Sequence, residues 1–358
     1  MMKRDHLDRI RDNIHDSYFL ESKGIDKKTE NDIIFLNYSI MEKPNRFNAL
    51  CRGTIFRNDG TLLMLPFKRF FNEHEANAAN INWQLVKIIE KIDGTMVSAW
   101  YDDSNRVWRL STKKMIDELI VSEFGSGAQI DLAVVFKQFF PNWQNALDKK
   151  YWYVFELVSP YNRIVTRYDE DRFGLYLLMI RQKQTLDELS PIKIQDIVKG
   201  IAQPRVFTPE YYNIRDRKKI DDLFESKLAD WEGVVAIDDN HNRIKIKQVS
   251  YVRLHHIVSN VSTKSNIINL ILDGEQEEVL SYFPDLKEHF LEIEKRINKL
   301  KSDIATVFGL YNHLETQKEF ALKVKDLPYS SFLFRLRRGD DLKYQFMQMG
   351  GKRLEKYL

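Results

Sequence analysis

The spacing of hydrophobic residues divides the chain into a strand-rich part and a helical part. Short apolar runs of strand length recur up to about residue 250. After about residue 255 the strand pattern is lost, and apolar residues four and three apart predict one long amphipathic helix. Pro284 precedes that helix, where proline is tolerated. The helix is marked by Leu286, Phe290, Ile293, Ile297, Leu300, Ile304 and Val307. We therefore predict an α+β domain over residues 1–254 and a smaller all-α domain over residues 255–358.

Turn residues and apolar runs place the elements of the first part. Asp59-Gly60 lies between two apolar segments, Gly53–Phe56 and Thr61–Leu65, and predicts a hairpin because Asp-Gly suits turns that match strand twist. A polar loop is expected before residue 32. The other predicted strands are 32–38, 85–89, 96–100, 107–110, 152–158, 175–180, 233–237 and 243–247, and the predicted helices are 3–20, 115–122, 129–140 and 185–200.

Composition limits the class of protein. The 358 residues are 43% hydrophobic and 30% charged, which is typical of soluble globular domains, and the net charge of +3 is too small to indicate nucleic-acid binding by itself. The single cysteine, Cys51, excludes an internal disulfide framework and favours a reducing compartment. No apolar run approaches the roughly 20 residues of a membrane helix, and the mixed charges of the start do not resemble a signal peptide. We expect a cytoplasmic protein with no membrane partner.

Lys91-Ile92-Asp93-Gly94-Thr95 follows a predicted strand and places a lysine before a tight turn. A lysine amine has a pKa of about 10.4 and is almost fully protonated at neutral pH. Covalent chemistry at such an amine requires neighbours that lower its pKa, such as other cations or a metal. The motif is short, and by itself it is more often an ordinary turn.

Other segments supply groups that would complete a site around Lys91. Glu156 interrupts the most hydrophobic predicted strand, where an acid is costly to bury unless it meets a partner, metal or ligand. Lys245 and Lys247 are two residues apart in a strand and so share one face. The remaining candidates are Glu232, which precedes an apolar strand, and Arg52 and Arg69, which flank the hairpin. Cations and a metal are what phosphoryl and nucleotidyl transfer require, and these cations are expected to lower the pKa of Lys91.

Each of these features also has an ordinary structural interpretation. Lys245 and Lys247 fit the solvated face of a strand, and Glu156 could pair with a buried arginine such as Arg163. Asp238-Asp239-Asn240-His241 resembles a metal cluster, but a solvent-exposed turn is the favoured interpretation. Their occurrence together is more specific than any one alone.

Taken in order, these motifs resemble the covalent nucleotidyltransferases, and most closely the T-even phage RNA ligase 1 family. The resemblance covers about residues 32–275 and includes Cys51-Arg52-Gly53, Pro66–Asn72, Lys91–Gly94, Phe155–Val165, Gly174–Arg181, Glu232-Gly233, Lys245–Lys247 with Tyr251-Val252, and Ser262–Ser265. It implies a nucleotidyltransferase (ATP-grasp-like ligase) domain of antiparallel sheets with flanking helices. It also implies an ATP-dependent RNA ligase that joins 5′-phosphate and 3′-hydroxyl RNA ends.

The resemblance assigns roles to individual residues. Lys91 would attack the α-phosphorus of ATP, release pyrophosphate and carry AMP, while Lys245 and Lys247 would hold the α-phosphate and the pyrophosphate. Glu156 and Arg52 would contact the ribose or metal waters. The ATP- or AMP-binding set is completed by Glu90, by Leu178 against the base, by Arg69 where the family usually has lysine, and by Glu232.

The remaining roles are supporting or metal-binding. Magnesium, for which manganese would substitute, would be held by Glu156, Glu232 and Asp273. The supporting or RNA-end residues would be Asp93, Gly94, Lys113, Tyr251 and Tyr38.

The resemblance also implies partners. Single-stranded or nicked RNA, including tRNA, would be the substrate, an end-healing polynucleotide kinase/phosphatase would act in the same RNA repair, and a phage-encoded protein would work in the host cytoplasm. The basic groups of the tail, from Arg335 to Arg353, fit phosphates or a solvated helical face. Two alternatives stay open. An mRNA guanylyltransferase would use GTP and would need an appended OB domain, and an inactive RNA-binding relative would lack a site residue.

Overall fold

A computed structural model describes residues 4–39, 42–123, 128–261, 263–274, 276, 279, 280 and 283–358. The chain forms two compact units, Met1–Val252 and Arg253–Leu358. The first contains mainly antiparallel sheets with flanking helices, and every element described in the second is helical. The predicted fold class is therefore confirmed. Ser262, which belongs to one of the motifs quoted above, lies outside the described residues. Among the described residues, no helix has the length and apolar character needed to span a bilayer.

A four-stranded sheet of order β1-β2-β3-β4 contains the predicted hairpin. The Asp59 carboxylate accepts a hydrogen bond from Thr61 N at 2.8 Å in the turn, and Gly60 has φ +85°. The polar loop expected before residue 32 is wrong, because β1 pairs antiparallel with β2 there. Five of the six side chains of β1 are exposed, so the strand carries no apolar signal. The four strands are β1 (Ile25–Glu30), β2 (Ile33–Tyr38), β3 (Arg52–Arg57) and β4 (Leu62–Met64).

Two five-stranded sheets build the rest of the first unit. Their orders are β14-β6-β15-β16-β5 and β13-β12-β11-β7-β8. Two pairs, β5 with β16 and β12 with β13, are parallel, and the others are antiparallel. A smaller sheet joins β9 to β10. The strands are β5 (Phe71–Asn72), β6 (Lys87–Glu90), β7 (Thr95–Asp102), β8 (Val107–Ser111), β9 (Ile120–Ser122), β10 (Gln129–Asp131), β11 (Tyr151–Val158), β12 (Gly174–Gln182), β13 (Val206–Phe207), β14 (Tyr211–Tyr212), β15 (Gly233–Ile237) and β16 (Arg243–Lys247).

The chain passes from one five-stranded sheet to the other between β6 and β7, and it returns between β13 and β14. The connection from β6 to β7 is the segment Lys91–Gly94. Since β6 and β7 hydrogen-bond into different sheets, the segment between them is held at both ends.

Two of the predicted helices in the first unit differ from those observed. The helix predicted over 115–122 is wrong, because Asp117 adopts a left-handed conformation with φ +62° and residues 120–122 form β9. The helix predicted over 3–20 is two shorter helices. Asp131 and Ser190 cap the N-termini of the helices predicted near 129–140 and 185–200. The helices of this unit are α1 (Arg4–Asp12), α2 (Ser17–Ser22), α3 (Leu132–Phe139), α4 (Trp143–Ala146), α5 (Pro191–Ile201), α6 (Lys218–Glu225) and α7 (Val249–Val261), the last of which runs past Val252.

The long amphipathic helix predicted in the second unit is confirmed. It follows a 3-10 turn at Pro284–Leu286, and its apolar stripe is buried from Phe290 to Ile304. The helices are α8 (Lys264–Asp273), α9 (Lys287–Tyr311), α10 (Gln317–Val324), α11 (Ser330–Arg337), α12 (Leu342–Met349) and α13 (Gly351–Leu354).

Candidate active site

Close backbone packing fixes the segment that carries Lys91. Lys91 N donates to Gly233 O at 2.9 Å, and Glu90 N donates to Glu210 O at 2.8 Å. A Cβ on Gly94 would lie 2.5 Å from Leu157 O, so only glycine allows this approach to β11. Gly233 has φ +135°, and a Cβ there would lie 2.2 Å from Ile246 O. The glycines predicted beside Lys91 and Glu232 are thus required by geometry.

The Asp93 carboxylate locks the same segment to a distant loop. Its Oδ2 accepts from Val165 N and Thr166 N, both at 2.9 Å, and its Oδ1 accepts from Tyr251 Oη at 3.0 Å. Asp93 N donates to Tyr168 Oη at 2.8 Å. Burial raises the pKa of Asp93, and the Glu232 carboxylate adds to the rise, while the two backbone donors oppose it. Asp93 and Tyr251 therefore hold the turn in place.

Lys91 and Lys247 share one buried carboxylate. Lys91 Nζ lies 2.7 Å from Glu232 Oε2, and Lys247 Nζ lies 2.8 Å from Glu232 Oε1. The Glu232 side chain is only 4% exposed. The strand β16 brings Arg243, Lys245 and Lys247 to one face, since the residues between them are buried. The structure thus joins three of the predicted residues in one ion-pair network.

The expected decrease in the pKa of Lys91 is wrong for the ligand-free protein. Burial lowers the pKa, but the attraction of Glu232 and Glu156, the hydrogen bond to Glu232 and the attraction of Asp93 together outweigh it, so the pKa is raised. Lys245 and Lys247 are neighbours of the amine as predicted, but carboxylates dominate its surroundings. Lys91 is therefore an ammonium in this state.

In three neighbouring groups, burial instead shifts the pKa in favour of the neutral form. Burial raises the pKa of Glu156 to about 7, because the attraction of Lys91 and Arg52 does not make up for lost hydration. Burial, with Arg52 and Lys91, lowers the pKa of Lys245 to about 7. Lys113 has a pKa lowered to about 8 by burial and by Arg52. The site therefore holds groups that exchange protons near neutral pH.

The Glu156→Gln variant is expected to be more stable than the wild type at pH 8, by about 1–3 kcal/mol. The folded pKa of about 7 lies above the ordinary value of 4.5. The stabilisation from holding that proton is complete below about pH 4.5 and is lost as the pH rises through about 7, whereas glutamine never ionises. Urea unfolding of the variant and the wild type at about pH 4.5 and at pH 8 measures the difference in their free energies of unfolding. Glu21→Gln, an exposed position, controls for the loss of one carboxylate. An equal difference at both pH values would contradict the assignment.

A cavity beside Lys91 collects most of the predicted ligand-binding residues. It has about 690 Å³ of empty space and opens to solvent. Apolar and charged side chains both line it, a combination that suits a nucleoside with its phosphates. The predicted residues that line it are Arg52, Glu90, Lys91, Glu156, Leu178, Lys245 and Lys247, and the others are Phe67, Phe70, Ile89, Ile92, Val235, Ile237 and Arg243.

Aromatic rings hold the two predicted arginines. The Arg52 guanidinium lies 4.8 Å from the centre of the Phe67 ring, and that of Arg69 lies 4.1 Å from the Tyr38 ring. These cation–π contacts fix both arginines without neutralising them. Arg69 lines a neighbouring cavity rather than the one beside Lys91. Tyr38 therefore supports Arg69.

Glu90 has a structural role that the sequence did not reveal. Its carboxylate, 1% exposed, accepts from Arg172 Nη2 at 2.7 Å and from Trp231 Nε1 at 3.0 Å. Little of this carboxylate is left for a ligand. Arg172 and Trp231 were missed because they lie in separate polar segments. The only signal in the sequence was Glu90 itself, an acid at the end of an apolar run.

Among the described residues, no group of three or more His, Cys, Asp or Glu side chains could hold a metal ion. The favoured turn at residues 238–241 is confirmed, since the Asp238 carboxylate accepts from Asn240 N at 2.9 Å and from Asn242 N at 3.0 Å. Asp273 is exposed at the end of α8, in the second unit. Lys113 lies beside Gly53, and its carbonyl accepts from Asn37 Nδ2 at 2.8 Å.

Comparison with known proteins identifies the family of the chain. The model of the T4 RNA ligase 1 family, described as RNA ligase, matches residues 50–251. An RNA ligase of Rhodothermus phage RM378 is 24% identical, over 91% of this chain and 90% of its own length. A putative bifunctional polynucleotide kinase/RNA ligase of Autographa californica nuclear polyhedrosis virus is 26% identical over 90% of this chain, which spans only 48% of that relative.

Solved structures include an archaeal ATP-dependent RNA ligase with a TM-score of 0.48 and 13% identity, covering 84% of this chain and 82% of that chain. The segment that the family model matches, residues 50–251, contains Arg52, Lys91, Glu156, Glu232 and Lys247. The chain therefore belongs to the T4 RNA ligase 1 family. It is an RNA ligase.

Proposed function

We propose that this RNA ligase is ATP-dependent and works through a covalent lysyl-AMP at Lys91. The observation that carries the proposal is the cavity in which Lys91 meets Arg52, Glu156, Lys245 and Lys247. A buried lysine at a strand end, with three cations for phosphate oxygens and apolar walls for a base, fits transfer of a nucleotidyl group.

In the first step, the Lys91 nitrogen would bond to the α-phosphorus while the bond to pyrophosphate breaks. The ammonium must first lose a proton. Glu232 lies 2.7 Å from the amine, and Glu156 attracts the amine and has a pKa of about 7, so these two carboxylates are the candidate proton acceptors. Lys245 and Lys247 would bind the phosphate oxygens, and Leu178 and Val235 would contact the base.

In the second step, an oxygen of the RNA 5′-phosphate would attack the same phosphorus, and the lysine would regain its amine as the bond between nitrogen and phosphorus breaks. In the third step, the 3′-hydroxyl of the other end would attack the RNA 5′-phosphate, with AMP as the leaving group. The products would be sealed RNA, AMP and pyrophosphate.

A divalent cation fits the donors present. Magnesium prefers oxygen ligands and is bound through one or two carboxylates together with substrate phosphates. The half-buried Glu156 carboxylate supplies such an oxygen in the cavity, and Glu232 would share the task. When bound, the ion would stabilise negative charge on the phosphate oxygens. Magnesium or manganese is thus proposed, while a contact from Asp273 stays a prediction.

RNA repair, including nicked tRNA, is proposed as the biological role. The baculovirus relative is named as joining a polynucleotide kinase to an RNA ligase, which supports coupling to an end-healing enzyme. A host-cytoplasmic site of action stays a prediction, as do the roles of residues 1–254 and 255–358 as separate functional domains.

The test is incubation with ATP labelled at the α-phosphate and with equally labelled GTP, each with magnesium. We expect protein-bound label that survives denaturation, comes from ATP only and is released by pyrophosphate. Label from GTP would favour a guanylyltransferase. RNA binding with label from neither nucleotide would favour an inactive relative, and either result would overturn the proposal.

A further inference from the structure

A second cavity adjoins the one beside Lys91. It has about 1310 Å³ of empty space and opens to solvent. Phe70 and Arg243 line both cavities. A ligand that leaves the first cavity past these two side chains therefore enters the second.

The wall of this second cavity has an excess of positive charge. Four cationic side chains, Lys68, Arg69, Arg181 and Arg243, face two carboxylates, Asp187 and Glu188. Glu188 is 5% exposed and serves two guanidiniums, since it pairs with Arg181 Nη2 at 3.3 Å and with Arg243. Asp187 also attracts Arg181, so two carboxylates face four cations. The wall is thus electropositive before any ligand binds.

Two of these cations, Lys68 and Arg69, are adjacent in the sequence. Arg69 Nη1 is buried and has no hydrogen-bond partner among the described residues. Partial loss of hydration at the Lys68 amine, together with the charge of Arg181, lowers the pKa of Lys68. An anion bound here would accept a hydrogen bond from Arg69 Nη1. It would also offset the repulsion between Lys68 and Arg181.

The uncharged side chains that line the second cavity indicate which kind of anion it binds. Phe70 and Phe71 offer aromatic rings, on which nucleic-acid bases stack. The amides of Asn77, Asn240 and Asn242 suit ribose hydroxyls and base edges. Phosphate-binding cations beside aromatic rings and amides are typical of a site that binds one nucleotide of an RNA strand.

The position favours RNA over the phosphate tail of ATP. Lys247 lies at the Lys91 end of β16, since both lysines pair with Glu232. Arg243 is four residues away, or about 13 Å along the strand. Arg52, Lys245 and Lys247 already provide cations for ATP phosphates in the first cavity. An RNA strand joined to AMP must leave the first cavity, and the second adjoins it.

We propose that this second cavity binds a backbone phosphate of the RNA strand, with Lys68 and Arg69 as the phosphate ligands. This inference rests on the proposed function, because it assigns part of the RNA path of the same enzyme. It makes Lys68 a determinant of RNA binding that has no part in the reaction with ATP.

The test uses the full chain with Lys68→Glu and Lys68→Ala, and Lys219→Glu as the matched control on an exposed face of α6. Three quantities are measured: label uptake from ATP, affinity for a 5′-phosphorylated single-stranded RNA over a range of salt concentrations, and sealing of RNA that is already adenylylated. For Lys68→Glu we expect RNA affinity and sealing to fall roughly tenfold or more, and for Lys68→Ala the slope of log affinity against log salt to fall by about one. Label uptake should stay within about twofold of the wild type.

Several outcomes would overturn the assignment. RNA affinity and salt slope equal to those of Lys219→Glu would exclude an RNA phosphate in this cavity. A raised KM for ATP in Lys68→Ala, with unchanged sealing of adenylylated RNA, would assign the cavity to the ATP phosphates instead. Failure of the wild type to take label from ATP would contradict the proposed function, whereas normal wild-type labelling with no effect at Lys68 would contradict only the RNA subsite.

Discussion

Lys91→Ala is expected to take up no label from ATP, a loss of more than roughly 1,000-fold, because it removes the amine that would form the phosphoramidate bond. The cavity should persist, since the Glu232 carboxylate keeps Lys247 as a partner at 2.8 Å. Sealing of RNA that is already adenylylated needs no lysine nucleophile, so it should continue at a reduced rate. The measurement is label uptake beside sealing of adenylylated RNA in the same preparation.

Two further variants separate chemistry from charge. Lys91→Arg keeps the ion pair with Glu232 but cannot form the same bond, so it should also remain unlabelled. Lys87→Ala removes a lysine from the same strand, where it lies 3.7 Å from Asp239, and should label as the wild type does. Label on Lys91→Ala, or its loss in Lys87→Ala, would show that the nucleophile lies elsewhere.

Asp93→Ala is expected to destabilise the first unit by about 2–4 kcal/mol, since it leaves Val165 N, Thr166 N and the Tyr251 hydroxyl without their buried acceptor. The Lys91 segment would then lose its tie to the loop around residue 165. Label uptake should fall roughly tenfold or more even in the folded fraction, because small displacements of a nucleophile are costly. Thermal melting and label uptake of the same sample provide the two measurements.

Tyr251→Phe is the matched control for Asp93→Ala. It removes one of the hydrogen bonds to Asp93 and keeps the ring, so a cost of about 1 kcal/mol is expected. An Asp93→Ala melt equal to that of the wild type would show that the carboxylate does not hold the turn. A larger cost for Tyr251→Phe than for Asp93→Ala would assign the stabilisation to the tyrosine hydroxyl through other partners.

Sequence patterns predicted the strands around the nucleophile because those strands bury one or both faces. Alternation in β16 placed Lys245 and Lys247 on one face, and an acid within an apolar run marked Glu156. The strand β1 was missed because its side chains are mostly exposed. The helix predicted over 115–122 failed because a left-handed Asp117 interrupts it. Local patterns thus describe buried elements better than solvated ones.

The electrostatics of the site could not be predicted in the same way. The sequence supplied cations and carboxylates near Lys91, but the sign of the pKa shift depends on which of them lie closest. Glu232 lies 2.7 Å from the amine, and so the carboxylates dominate. The contact of Glu90 with Arg172 and Trp231 likewise joins segments whose pairing has no local signature. Such contacts require the tertiary fold.

The contacts that hold the Lys91 segment join residues that are far apart in the sequence, which matters for a chain that is still being synthesised. Glu232 is 141 residues beyond Lys91, and Tyr251 is 158 residues beyond Asp93. A ribosome that has released only the first half of the protein has therefore exposed the lysine without its carboxylate partner, and the turn without its tyrosine. Under the proposed function, we expect a nascent chain that has not reached residue 251 to take up no label from ATP, because it lacks both contacts.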